Sequence, residues 1–315
     1  MVMKMSKKIS IVLIIILSVF VISFSVGLGF LISSGKNFND FFIFNLNFDN
    51  YSKKLIDSKT FDEEKNINIT FDRGDVLVEE SSNNKINVEI YSDNVKKHSV
   101  TLDNDINVTL LTSKISSFRN IQNKIVIMIP KKYSKKITIN GKIGDIKVND
   151  FSNLDLDVTL STGDIKIEKI NNIDAILSTG DIKVNDVINA KIELKTGDVE
   201  IDSVKELKST IKTGDLEVGL VKDLTAKLSI GDIEIDRVIN SVDIKLNVGD
   251  LDITKAIINK NSNIKIKTGD IRINKLVNAK VDAKTRFGSL SINNDSKGAK
   301  NKIKVMATTG DIRID

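Results

Sequence analysis

The sequence predicts an all-β protein, a single-domain β-solenoid preceded by one N-terminal transmembrane helix. Three observations carry that prediction. A Gly-Asp-aliphatic triplet recurs at nearly constant spacing, apolar and polar residues alternate with period two on both sides of it, and one long uncharged apolar run stands near the start. Composition removes several function classes. With no Cys in 315 residues there is no disulfide, thiolate nucleophile or Cys-ligated metal. His98 is the only histidine, which leaves no multi-histidine metal site and little room for a Ser-His-Asp triad. Lys4, Lys7 and Lys8 supply three of the five net positive charges, so the chain beyond them carries only +2, not a nucleic-acid-binding balance.

Residues 9–32, ISIVLIIILSVFVISFSVGLGFLI, contain no charge. At 1.5 Å per residue they span about 36 Å, enough to cross a hydrocarbon core of ~30 Å with some tilt. The run exceeds the apolar region of a cleaved signal peptide, and GLGFLISSGKN offers a poor cleavage site. Three lysines lie before the span and only Lys36 close behind it, so residues 1–8 are expected to stay in the cytoplasm and the rest outside. Residues 33–59 read as a juxtamembrane linker. Its Phe38, Phe41, Phe42, Phe44, Phe48 and Tyr51 suit either the headgroup boundary or the cap of the first strand.

Residues 60–140 read as an irregular β cap with the first, distorted coils. Ile67, Ile69 and Phe71 alternate, as do Ile86, Val88 and Ile90, then Ile106, Val108 and Leu110. Asn83-Asn84 suits a hairpin turn, Ile125–Ile129 a buried strand stopped by Pro130, and His98 a loop. Gly74-Asp75 is an upstream relative of the repeat.

Residues 141–315 hold the regular coils. The triplets begin at Gly144-Asp145, Gly163-Asp164, Gly180-Asp181, Gly197-Asp198, Gly214-Asp215, Gly231-Asp232, Gly249-Asp250, Gly269-Asp270 and Gly310-Asp311, with Gly288-Ser289 filling the gap. Their spacing is 17 to 22 residues. Positions +2, +4 and +7 from each glycine are aliphatic almost throughout, and before it the inward positions read as −5, −3 and −1. Such a parity switch cannot occur in one unbroken strand, so Gly-Asp is a corner, with Gly relieving the backbone and Asp bonding its own turn. A unit of this size with two or three corners cannot bury its apolar side alone, but stacked copies can. About ten coils at ~4.8 Å would form a rod roughly 50 Å long.

The stretches IVIMIPKKYSKKITINGKIGDIKV, LSTGDIKIEKI, LSTGDIKVNDV, LKTGDVEIDSV and IKTGDLEVGLV resemble the bacterial putative-adhesin family, domains of unknown function with repeated S/T-G-D-I-x-V units. The resemblance covers about residues 60–315. It implies the fold and an extracytoplasmic location; members with a single span are similar to accessory proteins of Gram-positive envelope-stress systems. It implies no binding residue.

The stacked aspartates are the most tempting candidate chemistry. A column of carboxylates suggests Ca²⁺, but calcium-binding β-rolls use shorter repeats with extra glycines that free carbonyl ligands. Lysines at −2 or +3 (Lys195 and Lys212, or Lys166 and Lys183) look placed to offset the carboxylates beside each corner. A polysaccharide-cleaving β-helix enzyme is the alternative reading, but no insertion is long enough to wall a cleft. Arg272, Arg286 and Arg313 gather in the last coils as a candidate anion contact. The expectation is therefore a protein without catalytic residue, metal or cofactor. Its partners would be the membrane and an envelope protein or polymer, with neither nucleic acid nor small-molecule substrate.

The topology has a direct check. Protease added to intact cells should degrade the chain beyond Lys36; protection until lysis would exclude the N-in orientation.

Overall fold

The coil from Gly180 to Thr196 shows how the repeat folds. Its six inward side chains are Ile182, Val184, Val187, Ala190, Ile192 and Leu194, all buried. They are two residues apart along a flat side and three apart across a bend. Two such bends and the Gly-Asp corner make the cross-section a triangle. Thr196, at −1, is exposed rather than inward as the alternation predicts. Lys195 and Thr196 are both exposed, so the alternation breaks one residue before the glycine, where the Thr196 carbonyl still accepts the Gly180 N–H at 3.1 Å.

The computed structural model describes residues 54–62, 64–93, 95–112, 123–294 and 298–315. The expected tail 1–8, span 9–32 and aromatic cluster 38–51 lie outside the described residues. Among the described residues no helix is long and apolar enough to cross a membrane.

The described chain enters through β1 (Leu55–Phe61), β2 (Ile67–Arg73) and β3 (Asp75–Glu80), then β4 (Ile86–Tyr91), β5 (Val95–Leu102) and β6 (Ile106–Thr112). It returns as β7 (Lys124–Ile129) and β8 (Lys136–Ile143). Asn84 turns with φ 57°, but β3 and β4 form no hairpin. Strand β7 lies between them, parallel to β3 and antiparallel to β4. Five of its six residues are buried, so it needs cover on both edges. Antiparallel strands close this end of the solenoid: β1 outside β4, and β5 outside β6. Strand β1 crosses the expected boundary at residues 59/60. His98 sits half-buried in β5 opposite Leu110, not in a loop.

Long bent strands then wrap the rod: β9 (Ile146–Thr162), β10 (Ile165–Thr179), β11 (Ile182–Thr196), β12 (Val199–Thr213), β13 (Leu216–Ile230) and β14 (Ile233–Val248). Each pairs with the next in parallel and in register, so that Ile182, Val199, Leu216 and Ile233 stack like on like. The longer repeats absorb their extra residues away from the glycine corner. Register slips occur at Ile170/Asn172 against β9 and at Val221/Asp223 against β14.

The last elements are β15 (Leu251–Ile257), β16 (Ser262–Thr268), β17 (Ile271–Ile273), β18 (Leu276–Val277), β19 (Ala279–Phe287), β20 (Leu290–Ile292), β21 (Asn301–Thr309) and β22 (Ile312–Ile314). Here stacking departs from chain order. β21 lies between β16 and β19, and β22 between β17 and β20. The coil that comes last in sequence is thus the penultimate one in space, and the Gly288 coil is outermost. With the composite ends the rod has about nine coils.

The inside–outside register is testable in the residue 54–315 fragment. Ile201, 1% exposed, stacks between Val184 and Val218, while Glu200 points outward and pairs with Lys183. Ile201→Asp buries a charge and should cost several kcal/mol. Glu200→Lys should stay within about 1 kcal/mol, because the new lysine exchanges Lys183 for Glu217 as its partner. Gly197→Val should be severe: φ is +132° and an added Cβ would stand 2.0 Å from the Gly180 carbonyl oxygen. A denaturant melt in which Glu200→Lys unfolds and Ile201→Asp is tolerated would invert the register.

Candidate functional site

The repeated aspartates do form one column, but they do not close their own turns. Each accepts a hydrogen bond from the next coil. The Asp198 N–H donates to Asp181 Oδ1 at 2.8 Å, and the Asp215 N–H donates to Asp198 Oδ1 at 2.7 Å. Ten such bonds run without a gap from Asp75 to Ser289. The cause is local. On either side of the corner, ladder amides find main-chain carbonyls: Gly163 bonds the Thr179 carbonyl and Ile165 the Asp181 carbonyl. Between them the chain is turning, and the side chain one coil away supplies the acceptor that the backbone does not. The column therefore includes Gly74-Asp75, seventy residues before Asp145. It ends on Ser289, whose N–H is received by Asp311 and beyond which no coil needs a carboxylate.

The expected lysine compensation lies elsewhere too. Lys183 bonds Glu200 at 2.5 Å, and Lys195 bonds the Ser178 hydroxyl at 3.2 Å. Both contacts run between coils within the +3 and −2 columns; neither reaches a corner carboxylate. The +3 column is segregated by charge: Lys147, Lys166 and Lys183, then Glu200, Glu217, Glu234 and Asp252, then Arg272 and Arg313. Arg272 and Arg313 are thus neighbours, each held by an aspartate, Asp252 at 3.1 Å and Asp315 at 2.9 Å. Arg286 stands apart from both in β19, its guanidinium 5.2 Å from the Phe287 ring centre.

Sequence reasoning passed over a groove of about 550 Å³ running along the rod. It follows the corner opposite Gly-Asp, where the irregular repeats store their extra residues. Asn172 donates to Asp155 and Asn189 to Asn172, both at 2.7 Å, while Asn240 and Ser241 both donate to Asp223. Lys136 pairs with Asp157, and Lys191 with Asp174. Burial pushes the Asp223 carboxyl up, but hydrogen bonds from Ser241 and Asn240 and the nearby Lys260 outweigh it and hold it below the usual range. The groove offers a mixed polar column, Asp155, Asn172, Asn189, Glu206, Asp223 and Ser241, over an apolar floor of Leu156, Ile173, Ala190 and Leu207. Such a surface can hold an extended polar ligand; Lys136 and Lys191 are committed to Asp157 and Asp174, while Glu206 and Lys208 form no ion pair among the described residues. Among the described residues no cluster of His, Asp and Glu is arranged to hold a metal ion.

Burial, first of all, raises the Asp75, Asp145, Asp181 and Asp198 carboxyls above their ordinary value, with neighbouring carboxylates adding and the received amide opposing. Burial and like-charged neighbours raise Glu217 and Glu234 as well. The folded protein therefore takes up these protons more readily than the unfolded chain. Their contribution to stability grows as pH falls from neutral toward the unfolded carboxylate range near ~4. Asp223, Asp282, Asp311 and Asp315 are lowered and act oppositely, at still more acid pH. The melting temperature of the 54–315 fragment should be higher at about pH 5.5 than at about pH 7.5. Asp198→Asn, which keeps the oxygen acceptor, should narrow that difference. Asp198→Ala, which orphans the Asp215 amide, should cost about 1 kcal/mol. A higher melting point at the neutral pH would refute the carboxylate assignment.

The chain is similar to several solved structures, three of which are as follows. One is named as a putative adhesin from Bacteroides fragilis NCTC 9343, 17% identical, covering 84% of this chain and 98% of that one, with a TM-score of 0.40. Another is a putative cell adhesion protein from Clostridium sporogenes ATCC 15579, 15% identical over 83% and 99%, TM-score 0.23. The third is a putative lipid binding protein from Parabacteroides distasonis ATCC 8503, 10% identical over 82% and 96%, TM-score 0.42. No curated protein matches the chain. The family described as Toastrack DUF4097 matches residues 64–238 and again residues 205–315. Those two stretches take in all the glycine corners, and the chain belongs to the Toastrack DUF4097 family.

Proposed function

We propose that this chain is a non-catalytic binding or scaffolding module, held by residues 9–32 in the cell membrane with its solenoid outside the cytoplasm. On this reading it works at the envelope in the manner of the stress-system accessory proteins its sequence resembles. The observation that carries the reading is the commitment of its polar groups. The repeated aspartates are consumed by the amide column, and in the groove Lys136 and Lys191 are held by Asp157 and Asp174. A β-helix lyase or hydrolase would instead need positioned carboxylates or a basic residue free to exchange a proton with substrate. A column of polar side chains repeating at ~4.8 Å favours holding a long ligand over transforming it.

The test uses photoreactive residues in intact cells. At Asn189 or Glu206 in the groove they should give discrete adducts, and at Lys222 beside it they should give fewer. Equal yields at all three positions would remove the groove from the reading. Incubating the purified protein with envelope polysaccharide should release no new reducing ends or unsaturated products; their release would replace the module with the enzyme.

A further inference from the structure

We propose that the C-terminal tip of the solenoid docks onto an anionic lipid surface. This inference is independent of the groove. The two ends of the rod are finished differently. At the first end, antiparallel β1 and β5 lie over the coils. At the other, β19 and β20 are outermost, and among the described residues each pairs only on its inner side, with β21 and β22.

The open end displays the apolar cross-section of the rod. Leu290 is 46% exposed and Ile292 39%, whereas Ile312 and Ile314, one coil inward on the same columns, are 1% and 0%. Phe287, just before the last corner, is 60% exposed. Coil stacking does not continue here in the same way, because Ser289 has no carboxylate to receive another corner amide.

Charge selects the occupant. Residues 271–315 contain ten lysines and arginines against four aspartates, a net of +6, while the 270 residues before them sum to −1. Lys280, Lys284 and Arg286 line the outer face of β19 and are exposed, and none makes an ion pair among the described residues. A second copy docking tip to tip would bring these like charges together. A soluble polyanion would satisfy the cations but leave Phe287, Leu290 and Ile292 in water. An anionic bilayer answers both, with lipid phosphates meeting the cations and the apolar side chains entering the headgroup boundary.

The experiment places the full-length protein in phosphatidylcholine nanodiscs and offers it large vesicles of phosphatidylcholine alone or with one-quarter phosphatidylglycerol. Vesicle-bound protein is pelleted. If the chain does not enter discs, which size-exclusion chromatography reports separately, it is offered to the vesicles free. Phosphatidylglycerol should raise the pelleted fraction about tenfold or more, and high salt should reverse the gain. Lys280→Glu combined with Lys284→Glu should abolish capture. Phe287→Ser combined with Leu290→Ser should weaken it severalfold at unchanged charge. Lys205→Glu combined with Lys208→Glu, along the side of the rod, should leave it intact. All variants lie at exposed positions, and circular dichroism checks their folding. Equal capture by both vesicle types overturns the proposal. So does a Phe287/Leu290 variant that binds like the parent, since the tip would then read charge alone, as it would on a soluble polyanion. Self-association that the Lys280/Lys284 variant abolishes would assign the tip to a second copy and overturn it as well.

Discussion

A single hydrogen bond, from the main-chain amide of each corner aspartate to the side-chain carboxylate one coil away, sets the terms for this fold. At the corner the chain turns too sharply for its amide to meet a carbonyl. A carboxylate in the right place solves the problem only if every coil presents its corner at the same angle. The bond therefore fixes the rotational phase of the stack. It also demands glycine immediately before the aspartate, because from Gly144 onward a Cβ at any of these corners would stand 1.8 to 2.1 Å from a neighbouring coil's carbonyl oxygen. Once that edge is locked, variation has to move elsewhere. The extra residues of the longer repeats gather at the opposite corner and line the groove.

The price of the arrangement is electrostatic. Carboxylates in neighbouring coils repel, and their partial burial adds to the strain. Each amide received offsets some of this, and at Asp75 the nearby Lys124 adds to the relief. Other lysines are used in outward columns, where oppositely charged side chains from successive coils meet. Exposed pairs of that kind are individually weak. Their effect is to set which residues face which along the rod, so that the long sides carry separated blocks of basic and acidic charge.

Much of this was legible in the sequence because a solenoid repeats its instructions. The inward columns at +2 and +4 followed from alternation, the corner glycines from the recurring triplet, and the buried strand before Pro130 from its unbroken apolar run. The exposure of Thr196 did not follow, because the corner begins one residue before the glycine that marks it. Strand β7 inserts between β3 and β4, a non-local pairing that a local turn signal such as Asn83-Asn84 cannot reveal. The role of the aspartate was misassigned to its own turn, because the acceptor works across seventeen residues rather than two. One signal was available and unread. Ser289 replaces aspartate only where no further amide arrives, which marks the Gly288 coil as outermost although another coil follows it in the chain. The groove left no comparable mark, since its Asp, Asn and Glu residues look like any solvated bend.

The permuted last coils bear on how the protein is made. A chain whose coils stack in sequence order can zip up behind the ribosome or the secretion channel, each segment finding its bed already laid. Here β19 and β20 emerge before the strands they rest on, so they must wait until β21 and β22 have slid in beneath them. Beyond Val277 the rod cannot grow in the order of delivery; its outermost layer waits until β21 and β22 have emerged. During that interval the tip is bare, and a chaperone or partner able to recognise it has its opportunity then.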